Sequence, residues 1–214
     1  MRAIEARGLG QRHGSRTVLA GVDLDVEVGE SVAVLGENGS GKTTLLRILS
    51  TASRPAAGSL KILGLEAPSH REQLRARIGY LAHAGGLYPA LTALENLEFY
   101  CDLYGVERAL AAQVLEEVGL AGARRRRASE LSRGMQQRLA LARTILHAPE
   151  ILLLDEPDAG LDETGRELLG RLSRGRTLVL ATHDVDLAER LCGRLLRLAA
   201  GRVVGQSDLA RTPR

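Results

Sequence analysis

Eight consecutive residues, Gly36-Glu37-Asn38-Gly39-Ser40-Gly41-Lys42-Thr43, fit the spacing G-x-x-x-x-G-K-[ST]. Glycines at these places let the backbone curl so that successive N–H groups point at phosphate oxygens, and a helix starting there adds partial positive charge. Lys42 would bring a point charge to the terminal phosphates, and Thr43, followed by Thr44, a hydroxyl to Mg2+. Lys42 and Lys61 are the only lysines among 29 basic side chains, so a lysine inside this loop is not background composition. The pattern predicts Mg-ATP binding.

Two adjacent carboxylates, Asp155 and Glu156, follow the aliphatic run Ile151-Leu152-Leu153-Leu154. Neighbours on a strand point to opposite sides, so the two cannot share one task. Asp155 is expected to hold Mg2+ through water and Glu156 to polarise an attacking water as general base. Thr182-His183-Asp184 ends another apolar run, which puts His183 in place to sense the terminal phosphate. Ser132, before Arg133-Gly134-Met135-Gln136-Gln137-Arg138 and a helical apolar pattern, reads as an N-cap.

The elements that must position these groups are also legible. Ser31 to Leu35 is a short apolar run ending in glycine, as expected of a buried strand feeding a loop, and Lys42 to Leu49 has helical spacing. Ile151 to Leu154 and Thr177 to Ala181 are further buried strands, each followed by polar residues and a helical pattern. That alternation predicts a parallel sheet covered by helices, with ligands beyond the carboxyl ends of the strands. Val22, Leu24, Val26 and Val28 alternate with acids, predicting a strand with one wet face. From about 92 to 147 the pattern is helical only, an inserted helical subdomain with Leu94, Leu97, Tyr100 and Leu103 as one apolar stripe and Val114, Leu115 and Val118 as another. The segment after Gly201 reads as a short tail.

Composition narrows the class. With 44% hydrophobic and 26% charged residues, 214 residues can bury a core without disulfides or metals, and one compact domain over 1–214 is expected. A net charge of +3 is too weak to argue for nucleic acid, and the run Arg124 to Arg127 reads as a solvated face, so no nucleic-acid partner is expected. Cys101 and Cys192 match no metal-ligand spacing and read as reduced thiols in the cytosol. The first residues lack the apolar stretch of a signal peptide, and the longest uncharged stretch, Ile78 to Leu94, is broken by glycines and Pro89. Any membrane span is expected to come from another chain.

Taken as a set, these motifs resemble the ATP-binding subunit of an ATP-binding cassette (ABC) transporter, over nearly the whole chain. Leu131-Ser132-Arg133-Gly134-Met135-Gln136 resembles that family's signature, and Asp158-Ala159-Gly160-Leu161-Asp162 its D-loop. The resemblance implies an α/β fold: a P-loop NTPase core with a parallel sheet flanked by helices, an N-terminal antiparallel β region and the inserted helical subdomain. It implies an ATP-dependent homodimer in which Ser132 and Gly134 of one copy serve the other's nucleotide, with Asp162 contributing from the D-loop. It also puts His13 where an aromatic commonly stacks on adenine, and His83 where a glutamine commonly approaches the nucleotide and metal. Arg133 and Met135 depart from the usual Leu-Ser-Gly-Gly-Gln. With His83, Leu87-Tyr88, the run Leu91 to Leu97, Phe99-Tyr100 and Leu103-Tyr104-Gly105, these departures resemble the ATPase of the cytochrome c maturation haem exporter. That resemblance implies integral membrane permease subunits of haem-export type and a peripheral place on the cytoplasmic face of the membrane. The segment from His83 to Tyr104, lying between the phosphate-sensing position and the helical subdomain, is the expected coupling surface, with Leu87, Tyr88 and Phe99 read either as a groove for a partner helix or as core. Three alternatives remain at this point: a general exporter ATPase for drugs or lipids, a soluble ABC ATPase acting outside transport, and a regulatory module that binds without turnover. Glu156 weighs against the last.

Overall fold

The computed structural model describes residues 1–82 and 85–209. They form two compact units, the first Met1–Tyr80, Glu150–Glu156 and the chain from Gly175, the second Leu81–Pro149 and Pro157–Arg174. The second therefore reaches beyond the helical stretch 92–147 anticipated from periodicity.

The first unit opens with two long strands, β1 (Arg2–His13) and β2 (Arg16–Glu27), paired antiparallel. In β2 Val22, Leu24 and Val26 are buried and the acids between them face outward. The alternation stops there: Val28 lies past the strand end and is 52% exposed, its N–H donating to Met1 O at 2.9 Å. β3 (Ser31–Leu35) leads through the glycine loop into α1 (Lys42–Leu49). β4 (Ala57–Ile62) and β5 (Leu65–Glu66) complete a four-stranded sheet in the order β2-β1-β4-β5. After the short α2 (Arg71–Arg75) comes β6 (Ile78–Leu81), where the first unit ends.

The second unit begins with α3 (Ala93–Tyr104) and α4 (Ala109–Glu117), then α5 (Arg133–Ile145). The chain returns to the first unit as β7 (Ile151–Asp155) and leaves it again for α6 (Glu163–Ser173). It finishes in the first unit with β8 (Thr177–Thr182), α7 (Val185–Leu191), β9 (Arg194–Ala199) and β10 (Arg202–Asp208). The second sheet runs β10-β9-β3-β8-β7-β6, with β3, β7, β8 and β9 parallel and β10 antiparallel at the edge. The supposed tail after Gly201 is thus a strand. Its alternating exposure and the adjacent turn let it cap the sheet edge without an apolar run to announce it.

The core of the first unit lies where both sheets meet α1: Leu45, Leu46, Ile48 and Leu49 join Val32, Val34, Leu153, Val179 and Ala181. Each such Leu, Ile or Val side chain contributes roughly 1.5–3 kcal/mol on burial. β3, β7 and β8 are buried on both faces, which is why they read as unbroken aliphatic runs rather than alternations. The stripe proposed for α3 is displaced. Ala93, Asn96, Leu97 and Cys101 are buried, whereas Leu103 is 65% exposed and Tyr100 only part-covered. A buried Asn sets the true face, and counting apolar residues alone passed over it.

Candidate functional site

β3 delivers its carboxyl end straight into the glycine loop, and the fold forces glycine at two loop positions. A Cβ on Gly36 would sit 2.3 Å from Leu198 O and 2.5 Å from Ser40 Oγ. Gly41, at φ +110°, would press one 2.8 Å from Leu19 Cδ2 and 2.9 Å from Val18 O. The turn between β9 and β10 braces the loop from outside, Gly201 N–H donating to Ser40 O at 3.0 Å.

Lys42 is folded into this loop and is 6% exposed. Its ammonium donates to Gly36 O at 2.6 Å and Glu37 O at 3.3 Å, and lies 3.5 Å from Glu156 Oε1. Neutral carbonyls and one carboxylate hold a buried charge that phosphate oxygens can take over. Thr43 is exposed and Thr44 half-buried at the first turn of α1.

Asp155, the last residue of β7, is 1% exposed. Glu156 follows with φ +48°, a left-handed backbone that a non-glycine residue adopts at a cost of about 1–3 kcal/mol and that collects at functional sites. Its N–H donates to Ala181 O of β8 at 2.8 Å, which fixes the turn. The Glu156 side chain, 17% exposed, meets His183 Nδ1 at 2.8 Å through Oε2. An ionised carboxylate only accepts, so Nδ1 carries the proton, and the imidazole is largely exposed. Lys42, Glu156 and His183 thus converge from α1, the end of β7 and the end of β8. A carboxylate oriented by an imidazole beside a phosphate loop can polarise water.

At the tip of the β1–β2 hairpin His13 pairs in register with Arg16, and both are exposed. Sequence reasoning passed over Arg16, whose Nη2 would be 3.9 Å from a Cβ on Gly39.

Ser132, Gly134 and Asp162 belong to the second unit. Ser132 Oγ caps α5 by accepting from Met135 N–H at 3.3 Å. Gly134 has no room for a side chain, since a Cβ there would meet Gly160 O at 2.8 Å. The stem of Arg133 lies over Gly160, with Cγ 3.0 Å and Cδ 3.2 Å from where a Cβ would stand. Asp162 caps α6, accepting from Gly165 N–H at 2.9 Å, and pairs with Arg138 at 2.8 Å. The Gly165 N–H first and Arg138 second hold its carboxyl below the ordinary range. Arg138 and Gln137, which donates to Pro157 O at 2.8 Å, tie α5 to the segment before α6. His83 lies outside the described residues.

The donors suit a magnesium nucleotide. The loop is a cradle that side chains at Gly36 and Gly41 would fill, Ser40 Oγ is buried within it without a hydrogen-bond partner among the described residues, and the oxygens of Thr43 and Asp155 are hard ligands. Among the described residues no group of three or more His, Cys, Asp or Glu could hold a metal alone. Mg2+ commonly takes one or two protein oxygens together with substrate phosphates, so this donor set fits it.

The chain is similar to known proteins. The family profile described as ABC transporter matches residues 19–159. The Nod factor export ATP-binding protein I of Burkholderia orbicola (strain AU 1054) is 37% identical over 212 residues, 95% of this chain and 70% of that protein. Its namesake from Rhizobium etli is 35% identical over 215 residues, 96% of this chain and 68% of that protein. Among solved structures, the dimeric post-hydrolysis state of the ATP-binding cassette MJ0796 bound to ADP and Pi superposes with a TM-score of 0.88 at 29% identity, covering 97% of this chain and 99% of that one. CbiO1 from Clostridium perfringens, part of the transporter complex cbiONQ, gives a TM-score of 0.81 at 26% identity, covering 97% and 88%. The relatives' export name is not that of a haem exporter. A P-loop NTPase fold with an antiparallel N-terminal sheet, the phosphate loop beside Glu156 and His183, and these matches establish that the chain belongs to the ABC transporter family, as an ATP-binding and ATP-hydrolysing subunit.

Proposed function

We propose that this chain powers an export complex: it closes as a homodimer over Mg-ATP and docks, at the cytoplasmic face of the membrane, on permease subunits that choose the cargo. The convergence of Lys42 and His183 on Glu156 carries the reading, because it puts a base, its orienting group and the phosphate-binding cation together. In the proposed cycle ATP phosphates draw Lys42 away from Gly36 O, Glu37 O and Glu156. The released Glu156, still held by His183, orients water and accepts its proton. Thr43 and Asp155 would hold Mg2+, which supplies charge stabilisation to the phosphates. The backbone of Gly36 to Gly41 and the adjoining Thr44 cradle the nucleotide, and His13 covers the base. Ser132, Gly134 and the D-loop around Asp162 serve the partner copy's nucleotide from their helix-capping turns, and His83 approaches the nucleotide and metal.

Among the described residues no helix is long and apolar enough to cross a membrane. In the proposed complex the permease subunits form the pathway for cargo. The docking surface proposed for them is the aromatic cluster of the second unit. Tyr88 and Phe99 are 45% and 41% exposed and meet edge-on at 4.8 Å, with Leu103 beside them on α3. Four of the chain's five aromatic residues, Tyr88, Phe99, Tyr100 and Tyr104, stand in this one place.

Two cargo readings have support. The relatives named for Nod factor export favour an export cargo other than haem, in line with a general exporter for drugs or lipids. The strings Leu131 to Arg138 and Leu87 to Gly105 favour haem delivery for cytochrome c assembly. Purifying the tagged chain from its native membrane in mild detergent separates them. Recovery with haem-handling membrane proteins and haem absorbance supports the second reading, and recovery with an unrelated permease supports the first. Recovery without any membrane protein, together with full ATPase activity, would sink the transporter reading.

A further inference from the structure

We propose that Arg16 is a second phosphate-binding cation of this nucleotide site, acting on the α- and β-phosphates while Lys42 serves the terminal ones. Arg16 is the first residue of β2, and its guanidinium reaches the middle of the phosphate loop, 3.9 Å from where a Cβ on Gly39 would stand. Among the described residues its side chain makes no hydrogen bond or ion pair, unlike Arg7 with Asp25 or Arg194 with Glu30 in the same unit. An unneutralised guanidinium beside backbone already shaped for phosphate is a standing attractor for anionic oxygens, which it can grip with two N–H groups.

The hairpin register says which phosphates. His13 and Arg16 are directly opposed partners, so their side chains leave the sheet on the same face, with Cβ atoms about 4.5–5.5 Å apart. Where Arg16 faces the loop, His13 faces the same side. A cross-strand pair of that width spans from a base covered by the imidazole to the phosphates nearest the ribose, and falls short of the γ-phosphate beside Lys42 and Glu156. The hairpin tip therefore grips what ATP and ADP share. The inference rests on ATP binding and adds to it a residue outside the glycine loop.

Calorimetric titration of the full chain with ATP, ADP and adenosine tests it, using Arg16→Gln, Arg16→Lys and, as a control of the same turn, Arg12→Gln, whose guanidinium donates to Ser15 O at 3.1 Å. Arg16→Gln should weaken ATP and ADP equally, by about three- to tenfold, and leave adenosine unchanged. Its KM for ATP should rise by the same factor, with kcat changed less. Arg16→Lys should recover part of the loss, and Arg12→Gln should bind as the parent does. Unaltered ADP affinity in Arg16→Gln overturns the proposal, as does an equal loss in Arg12→Gln, which would reduce Arg16 to a prop of the hairpin. An unmodified chain that failed to take up ADP at all would remove the nucleotide site itself, a different result from a failure confined to Arg16.

Discussion

Glu156 is contested ground at the scale of single residues: Lys42 stands 3.5 Å from one carboxylate oxygen, His183 2.8 Å from the other, and the backbone is left-handed. Glu156→Gln keeps the shape and removes the charge. If the carboxylate is the base, turnover should fall by about 10²–10⁴, the usual worth of general-base catalysis, while ATP still binds. Affinity should not drop, because the substitution also relieves Lys42 of an internal rival for the phosphates. Steady-state ATPase rates beside equilibrium nucleotide titration read both quantities, and undiminished turnover would strip Glu156 of the role. The loop from Gly36 to Thr43 was legible because its chemistry is local, eight neighbours in one fixed spacing. The contact between His183 and Glu156 joins residues 27 apart through two adjacent strands, and residue types do not encode that distance. Nor does the identity of Glu156 announce a positive φ, as a glycine's would. Arg138, which engages Asp162, was hidden for the same reason: the pair is 24 residues apart and joins two elements.

Elements of the second unit are set by polar groups as much as by apolar stripes. Thr92 and Glu95 form a reciprocal capping box on α3, Thr92 Oγ1 accepting from Glu95 N–H at 3.2 Å and Glu95 Oε2 from Thr92 N–H at 2.8 Å. One position further on, Asn96 is fully buried. Its Oδ1 accepts from Tyr88 N–H at 2.8 Å, and its Nδ2 donates toward Tyr88 O, Leu91 O and Thr92 O at 3.0, 3.2 and 2.9 Å. This one side chain holds the segment from Tyr88 to Thr92 on the helix that follows. Asn96→Leu keeps the branched shape but strands the Tyr88 N–H and leaves the three carbonyls only their backbone donors, the N–H groups of Leu91, Ala128 and Asn96; a buried group left unpaired costs about 1–3 kcal/mol, and the larger methyl groups add crowding. A loss of about 2–3 kcal/mol in urea denaturation is expected, and a change below about 0.5 kcal/mol would show that solvent satisfies the segment unaided. Periodicity identified α3 but turned it by a residue, since an apolar count gives no weight to Asn96 while giving full weight to the exposed Leu103. The fully buried strands were easier, because a parallel strand covered on both faces leaves no polar position to misread.

For the molecule as a whole, the predicted site residues divide between two units: the phosphate loop, Asp155, Glu156 and His183 in the first, and Ser132, Gly134 and Asp162 in the second. On the proposed head-to-tail homodimer a complete site needs the first unit of one copy and the second unit of another. The kinetic signature is then fixed by mass action. Below the dissociation constant of the dimer its concentration follows the square of the protein concentration, so doubling the protein should raise the ATPase rate on the order of fourfold. Above that constant the rate should become proportional to protein. Ser132→Arg, which puts bulk and charge at the α5 cap, should depress the rate at every concentration while leaving ADP binding to the isolated chain intact, since Ser132 would serve only the other copy's nucleotide. The measurement is initial rate against concentration over about three decades, with light scattering to follow mass. Strict proportionality throughout, from a species that stays monomeric, would mean that one chain completes its own site, and the assignment of Ser132 and Gly134 to a partner's nucleotide would have to be abandoned.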